Sequence, residues 1–316
     1  MTLPALATVY SYYMPEVRAV VDDLSAEYPH EVFLRSVGAG LDDFHIPVIA
    51  RLVERHRHDV PALGGFEHAY PTAGSEEGIR ELMTTIAAGG ERAICMFAGD
   101  YEGYREVARL RGLECRELPF DTASPAQVAP SWWFLSNPSA RNGNLLPREI
   151  IDAVLAAGHK VFYDLSYLDS TPPAVFDLSH PNVAAAAISL SKPYGLFYYR
   201  IGFTFARQPI PSLYANKWFK NVFGLLLADR LMKSIDARAH AARYKAAQAE
   251  VVSTIEGEHK LGLVPSDAFL LAHVSPERAA RLGAAQRALL APFSRAGGYR
   301  LCLTPAFLER EGHPSE

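Results

Sequence analysis

Three apolar runs in this chain end in side chains that can do chemistry. Asn137 and Pro138 follow SWWFLS (131–136), Asp164 closes KVFYD (160–164) with Tyr167 three residues on, and Ser191 and Lys192 follow AAAAISL (184–190). Three separate runs thus deliver an amide, a carboxylate and an amine. Lys192 is the costly member, because an ammonium at the end of a buried run loses hydration that a partner must restore. A second feature could hold an anion. In YPTAGSEEGIREL the small-residue turn Thr72-Ala73-Gly74-Ser75 leads into a helical pattern, so the backbone N–H groups of Gly74 and Ser75 would stand at the positive end of a helix dipole.

These groups can meet only if their runs are neighbouring strands. From residue 72 to residue 206 short apolar runs alternate with helical patterns. The strand candidates are 92–97, 114–118, 131–136, 160–164, 184–190 and 202–206; helices are expected over Glu76–Ala88, Glu102–Arg111 and Pro147–Ala157. Alternation of this kind requires crossover connections, hence an α/β fold with a mostly parallel sheet covered on both faces. In such a sheet ligands bind beyond the carboxyl ends of the strands, where Asn137, Asp164 and Lys192 fall. After residue 212 the pattern changes. Asn221 to Glu256 contains one glycine and no proline, which predicts a long helix broken near Gly224. The runs AFLLAHV and YRLCLT on either side of a helical segment near Pro276–Leu290 predict a smaller α+β domain. The expected division is an N-terminal segment 1–48, a large domain 49–212, and an interdomain helix with a small domain over 213–316.

The lysine stretch SLSKPYGLFYYRIG (189–202) has the pattern S-x-S-K-x-x-G-x-x-x-x-R-x-G, NPSARNG is similar to an N-P-x-x-x-x-G turn, and YDLSY to D-x-x-Y. Together and in this order they resemble the fold-type I pyridoxal-phosphate-dependent enzymes, within them the class I and II aminotransferases, over roughly residues 70–206. The resemblance implies an aminotransferase-like large domain in an α/β/α sandwich and pyridoxal 5'-phosphate (PLP) as cofactor. It implies that Lys192 forms a Schiff base with the cofactor aldehyde and then shuttles a proton, while Asp164 pairs with the ring nitrogen. Asn137 and Tyr167 would donate to the phenolic oxygen. Ser189, Arg200, Gly74 and Ser75 would hold the phosphate. Tyr101, after the run ending at Phe97, would stack on the ring. Arg300, in GGYRLCL, would bind the substrate carboxylate, with Asn137 and a backbone contact at Gly38 beside it. Fewer residues precede Lys192 than the family usually has, so the substrate is left open.

The implied reaction moves an amino group between an amino acid and a 2-oxo acid. The alternative is other PLP chemistry on an amino acid such as arginine: decarboxylation, racemisation, cyclisation, or oxidation and hydroxylation. Other classes are disfavoured. A net charge of -4 in 316 residues gives no general attraction to nucleic acid or to an anionic membrane, and no run of about 18 uninterrupted apolar residues exists. Cys95, Cys115 and Cys302 are expected as small apolar residues in or near strands, reduced in a cytoplasmic protein. HRH at 56–58 reads as a helix surface, and no metal pattern is present. The resemblance implies a homodimer.

Overall fold

A computed structural model describes residues 3–10, 14–36, 43–218 and 220–310. Two helices come first, α1 (Pro15–Ser36) and α2 (His45–Arg55). The large unit then runs β1 (His68–Thr72), α3 (Ser75–Ala88), β2 (Ala93–Phe97), α4 (Glu102–Leu110), β3 (Glu114–Leu118), β4 (Trp132–Ser136), α5 (Arg148–Ala156), β5 (Lys160–Leu165), β6 (Val183–Ser189) and β7 (Gly202–Ala206). These strands form one seven-stranded sheet in the order β1-β7-β6-β5-β4-β2-β3. Pairs from β6 through β3 are parallel, and β7 runs antiparallel to both β6 and β1.

Strand parity explains the layering. Ile94, Met96, Phe134, Phe162, Ala185 and Ala187 point to one face, where they join Ile79, Leu82, Met83, Tyr104 and Val107 of α3 and α4. Their neighbours Cys95, Phe97, Trp133, Leu135, Val161, Tyr163, Ala186 and Ile188 point to the other face and its separate apolar cluster, with Ile150 and Val154 of α5 and Leu225, Leu227 and Leu231 beyond. Both faces are buried, so near-continuous apolar strands satisfy the sheet. The expected α/β/α sandwich is present, and the six expected strands are found within one residue at each end. β1 was not expected: HAYPT pairs with β7, His68 against Ala206 through Thr72 against Gly202.

The C-terminal part comprises α6 (Val222–Ser234), α7 (Ala237–His259), β8 (Val264–Pro265), β9 (Leu271–Val274), α8 (Pro276–Ala279), α9 (Ala284–Leu290), β10 (Ser294–Arg295), β11 (Gly298–Cys302) and α10 (Thr304–Arg310). Its antiparallel sheet has the order β10-β11-β9-β8, and Leu6 bridges to Cys302 at the end of β11. The helix break lies elsewhere than expected. Gly224 sits in the first turn of α6, and the interruption falls at Ile235. Asp236 caps α7 by accepting from the Ala239 N–H at 2.7 Å. Arg55 Nη1 takes the carbonyls of Met232 (3.1 Å) and Ile235 (2.9 Å) where α6 ends. The segment near Pro276–Leu290 is likewise two helices rather than one.

His56 corrects a further expectation. It is buried at the end of α2, with Nδ1 3.6 Å from the Asp169 carboxylate, and is not a helix-surface residue. All three cysteines lie on strands, Cys95 and Cys302 buried and Cys115 half-buried. Among the described residues no helix is long and apolar enough to cross a membrane, and no cluster of three metal-ligating side chains occurs.

Candidate active site

The carboxyl ends of β4, β5 and β6, the turns after β2 and before α3, and β11 of the small sheet enclose one cavity of about 250 Å³. Asp164 closes β5 on the α3/α4 face, the parity of Phe162. It is buried, accepting from Tyr104 Oη at 2.8 Å on one oxygen and from the Ser166 N–H (2.9 Å) and Oγ (2.5 Å) on the other. Tyr104 comes from the inner face of α4, three residues after Tyr101, and burial beside Asp164 holds its phenol well above the ordinary range. The Asp164 carboxylate is thus fixed from two sides.

Lys192 lies in the turn after β6. Its Nζ is 4.0 Å from the centroid of the Tyr167 ring and 5.9 Å from that of Tyr101, so the ammonium rests between two aromatic faces. Tyr101 donates to Glu76 Oε2 at 3.0 Å, and burial next to that carboxylate keeps the phenol protonated. The peptide after the lysine is anchored from outside: His240 Nε2 lies 2.7 Å from the Pro193 carbonyl, and Tyr194 Oη donates to Asp169 at 2.6 Å.

The anion cradle is built differently from the expectation. The Gly74 N–H already donates to the Thr72 carbonyl at 2.8 Å. Its contribution is a φ of 74° and a missing Cβ, which would stand 2.7 Å from Arg200 Nη2. Ser75 begins α3, so its N–H and that of Glu76 have no helical carbonyl to bond. Ser75 Oγ is 2.7 Å from Ser166 Oγ. Arg200, itself left-handed at φ 53°, is held over this turn by the carbonyls of Ala73 (2.9 Å) and Phe197 (3.2 Å). Ser189 lines the same wall; it donates to the Ile201 carbonyl at 3.4 Å and accepts from the Ser191 N–H at 3.2 Å.

Arg300 reaches the cavity from β11. It is buried, with Nη1 donating to the Ala140 carbonyl and Nη2 to the Ala7 carbonyl at 3.0 Å, while Nε has no partner. Burial lowers its pKa. Nearby, Arg295 binds the carbonyls of Gly99 (2.8 Å) and Asp100 (2.7 Å) and the Glu102 carboxylate (2.6 Å), tying the small sheet to the turn that carries Tyr101. Asp100 accepts from the Tyr101 N–H at 2.7 Å and from Ser136, and complete burial pushes it up to about 6.

Asn137 is the residue the structure does not bring to the cavity. Its Nδ2 donates to Tyr163 Oη at 2.7 Å and its Oδ1 accepts from the Leu146 N–H at 3.0 Å. Both partners lie on the α5 side of the sheet, beside a separate cavity of about 360 Å³. The reason is parity: Ser136 faces the α3/α4 side, so the next residue along β4 turns away. Ser136 and Ala140 line the site in its place. The remaining assigned side chains, Ser75, Tyr101, Asp164, Tyr167, Ser189, Lys192, Arg200 and Arg300, share the one cavity, and Gly38 lies outside the described residues. Sequence reasoning missed Tyr104, Ser136 and Ser166, and gave Ser191 a place at the strand end but no role. Tyr104 was recoverable from its i+3 spacing to Tyr101.

The family described as aminotransferase class I and II matches residues 67–248, more than half of the chain. The chain belongs to that family. Its match to the histidinol-phosphate aminotransferase of Vibrio campbellii is 29% identical over 158 residues, 46% of this chain and 45% of that protein. The chain thus spans about half the length of the curated relatives it matches. Among solved structures, histidinol-phosphate aminotransferase from Sinorhizobium meliloti, in complex with pyridoxal-5'-phosphate, superposes with a TM-score of 0.69 at 17% identity, covering 97% of this chain and 89% of that one. A C-S lyase from Staphylococcus hominis gives a TM-score of 0.70 at 11% identity over 97% and 89% of the two chains. At these identities the likeness to the solved structures shows the fold alone, and the side chains must argue the chemistry.

Proposed function

We propose that this chain is a PLP-dependent aminotransferase, moving an amino group between an amino acid and a 2-oxo acid. The observation that carries it is the Lys192 amine between the Tyr167 and Tyr101 rings, in one cavity with the buried Asp164 carboxylate and the Ser75–Arg200 anion cradle. The cavity fits the cofactor. Ser191 Oγ and Arg300 Nε are buried on its wall without a partner, and Gly74 leaves the room beside Arg200 that any side chain would fill.

PLP supplies an aldehyde that an amine can capture and a ring that accepts electrons from the substrate α-carbon. Lys192 Nζ would hold the cofactor through its aldehyde and, as a free amine, would carry the proton taken from the substrate α-carbon. Asp164, fixed by Tyr104 and Ser166, would keep a proton on the ring nitrogen. Tyr167 would donate to the phenolic oxygen. Ser75, Ser189 and Arg200 would bind the phosphate at the start of α3. Arg300 pairs with the substrate carboxylate, and the Arg295 clamp keeps β11 closed over it.

The test is a half-reaction. The PLP-loaded chain, given amino acids one at a time and no oxo acid, should lose the absorption of lysine-bound cofactor, gain that of the amino form, and release one equivalent of 2-oxo acid. Carbon dioxide release or oxygen consumption without the amino form would contradict it.

The protein is a cytoplasmic homodimer in our reading. The resemblance supports the dimer, and Tyr198 and Tyr214, 84% and 57% exposed, offer aromatic surface for a second copy. Its working division is 1–48, 49–212 and 213–316, with Gly38 of the first segment as a backbone contact to substrate. Mass measurement in solution tests the dimer.

A further inference from the structure

We propose that Glu16 and His240 are positioning residues for Lys192, holding the turn that carries it so that its amine meets the cofactor; this rests on the assignment of Lys192 as the cofactor lysine. The turn after β6 has little else to fix its main chain. Pro193 has no N–H, so the residue next to the lysine can be held through its backbone by its carbonyl alone. That carbonyl lies 2.7 Å from His240 Nε2 on α7. Among the described residues no other hydrogen bond reaches the backbone of Lys192, Pro193 or Tyr194. The far end of the turn is fixed by a side chain instead: Tyr194 Oη accepts from Arg55 Nη2 at 2.7 Å and donates to Asp169 at 2.6 Å.

The imidazole is itself set from behind. His240 is buried, its ring stacked on that of Tyr194 at 5.0 Å between centroids, and its Nδ1 lies 3.1 Å from Glu16 Oε1. A carbonyl and a carboxylate can only accept, so both contacts are hydrogen bonds when each ring nitrogen carries a proton, and Glu16 balances the resulting charge. Glu16 stands in the first turn of α1, and its other oxygen accepts from Tyr244 Oη at 3.0 Å, with Arg243 Nη1 at 3.5 Å. A relay therefore runs from α1 through α7 to the residue beside the lysine: carboxylate, imidazole, carbonyl. Lys192 Nζ makes its own close approach to the face of Tyr167, which leaves its Cα to be placed by this tether. A reacting amine displaced by about 1 Å loses up to about a hundred-fold in rate, so the tether has kinetic weight although it touches neither cofactor nor substrate.

The test reads capture of the cofactor rather than turnover. The full chain, stripped of cofactor, is mixed with increasing PLP, and the first-order rise of the lysine-bound band is followed as Nζ joins the aldehyde carbon and water leaves. The limiting rate reports the lysine, and the half-saturating PLP concentration reports the phosphate cradle. His240→Ala should lower the limiting rate about ten-fold with the half-saturating concentration unchanged, and Glu16→Gln about three-fold. His240→Gln, whose amide N–H can reach the Pro193 carbonyl, should recover most of the rate. Tyr244→Phe removes a hydrogen bond from Glu16 but leaves the relay intact, and should capture PLP at the parent rate. Rates are taken per folded chain, from urea unfolding of each variant; should His240→Ala fail to fold, Glu16→Gln against Tyr244→Phe decides. Slowed capture in a chain that transfers no amino group would still support the relay and count against the aminotransferase assignment alone. Parent limiting rates in His240→Ala and Glu16→Gln, Tyr244→Phe slowed as much as Glu16→Gln, or a loss confined to the half-saturating concentration would overturn the inference and leave that assignment standing.

Discussion

Gly202, the first residue of β7, packs so closely under Gly74 that an added Cβ would lie 2.6 Å from both the carbonyl carbon and the Cα of Gly74. Backbone meets backbone, so neither side can yield by rotating a side chain. The strand that returns from Lys192 thereby sets the height of the turn that starts α3, and Gly202 pairs with Thr72 on one side and Ser189 on the other. Gly202→Ala should lift the Ser75 turn away from Arg200, at a cost of about 1–3 kcal/mol in stability. PLP titration should find affinity reduced at least about ten-fold; an unchanged dissociation constant would show that this contact does not shape the cradle.

Asn137 yields a prediction opposite to its motif. Because its amide bonds to Tyr163 and Leu146 on the far face of the sheet, Asn137→Ala should cost about 1–3 kcal/mol in urea unfolding and leave the spectrum and affinity of the bound cofactor as they are. A shifted cofactor spectrum at unchanged stability would place the amide in the site after all.

Two carboxylates give opposite pH signatures. Burial raises the pKa of Glu16 on α1, but hydrogen bonds from His240, its own backbone and Tyr244, with the charge of Arg243, outweigh it and bring the group down from 4.5 to about 2. A lowered folded pKa means stability that is full above about pH 4.5 and lost as the pH falls toward 2. Asp100 is the reverse: burial raises it from 3.8 to about 6, so stability falls as the pH rises through that window. Urea unfolding against pH should lose its acid limb in Glu16→Gln, and the pH 4 to 6 decline in Asp100→Asn. Both limbs persisting in the variants would contradict the assignments.

Arg300 separates substrate binding from cofactor binding. Arg300→Gln should raise the half-saturating concentration of every amino donor by about a hundred-fold, the worth of a charge-assisted bidentate pair, with the bound-cofactor absorbance retained. Loss of the cofactor instead would give Arg300 a purely structural role at the Ala140 and Ala7 carbonyls.

Much of the chemistry was legible because it is local. Lys192, Asp164 and Tyr167 stand at strand ends that apolar runs mark out, and Ser75 is set by the turn before a helix. What escaped depends on direction and on distant partners. Strand parity sends Ser136 into the site and Asn137 out of it, and the one-residue difference was visible in the alternation of Trp133, Phe134 and Leu135 once the faces were known. β1 carries Pro71 and lacks alternating apolar residues, so only pairing with β7 makes it a strand. The break between α6 and α7 is stabilised by Arg55 from the other end of the chain, while Gly224 stays helical because its N–H donates to Asn221 Oδ1 at 2.9 Å. The burial of His56 against Asp169 likewise spans more than a hundred residues.

The most direct test concerns the amine itself. The protein is incubated with PLP, reduced with borohydride, digested, and its peptides are weighed. The account predicts one cofactor per chain, fixed to the peptide containing Lys192, and no visible absorption band in Lys192→Ala. A reduced adduct on any other lysine, or a band that survives Lys192→Ala, would contradict it.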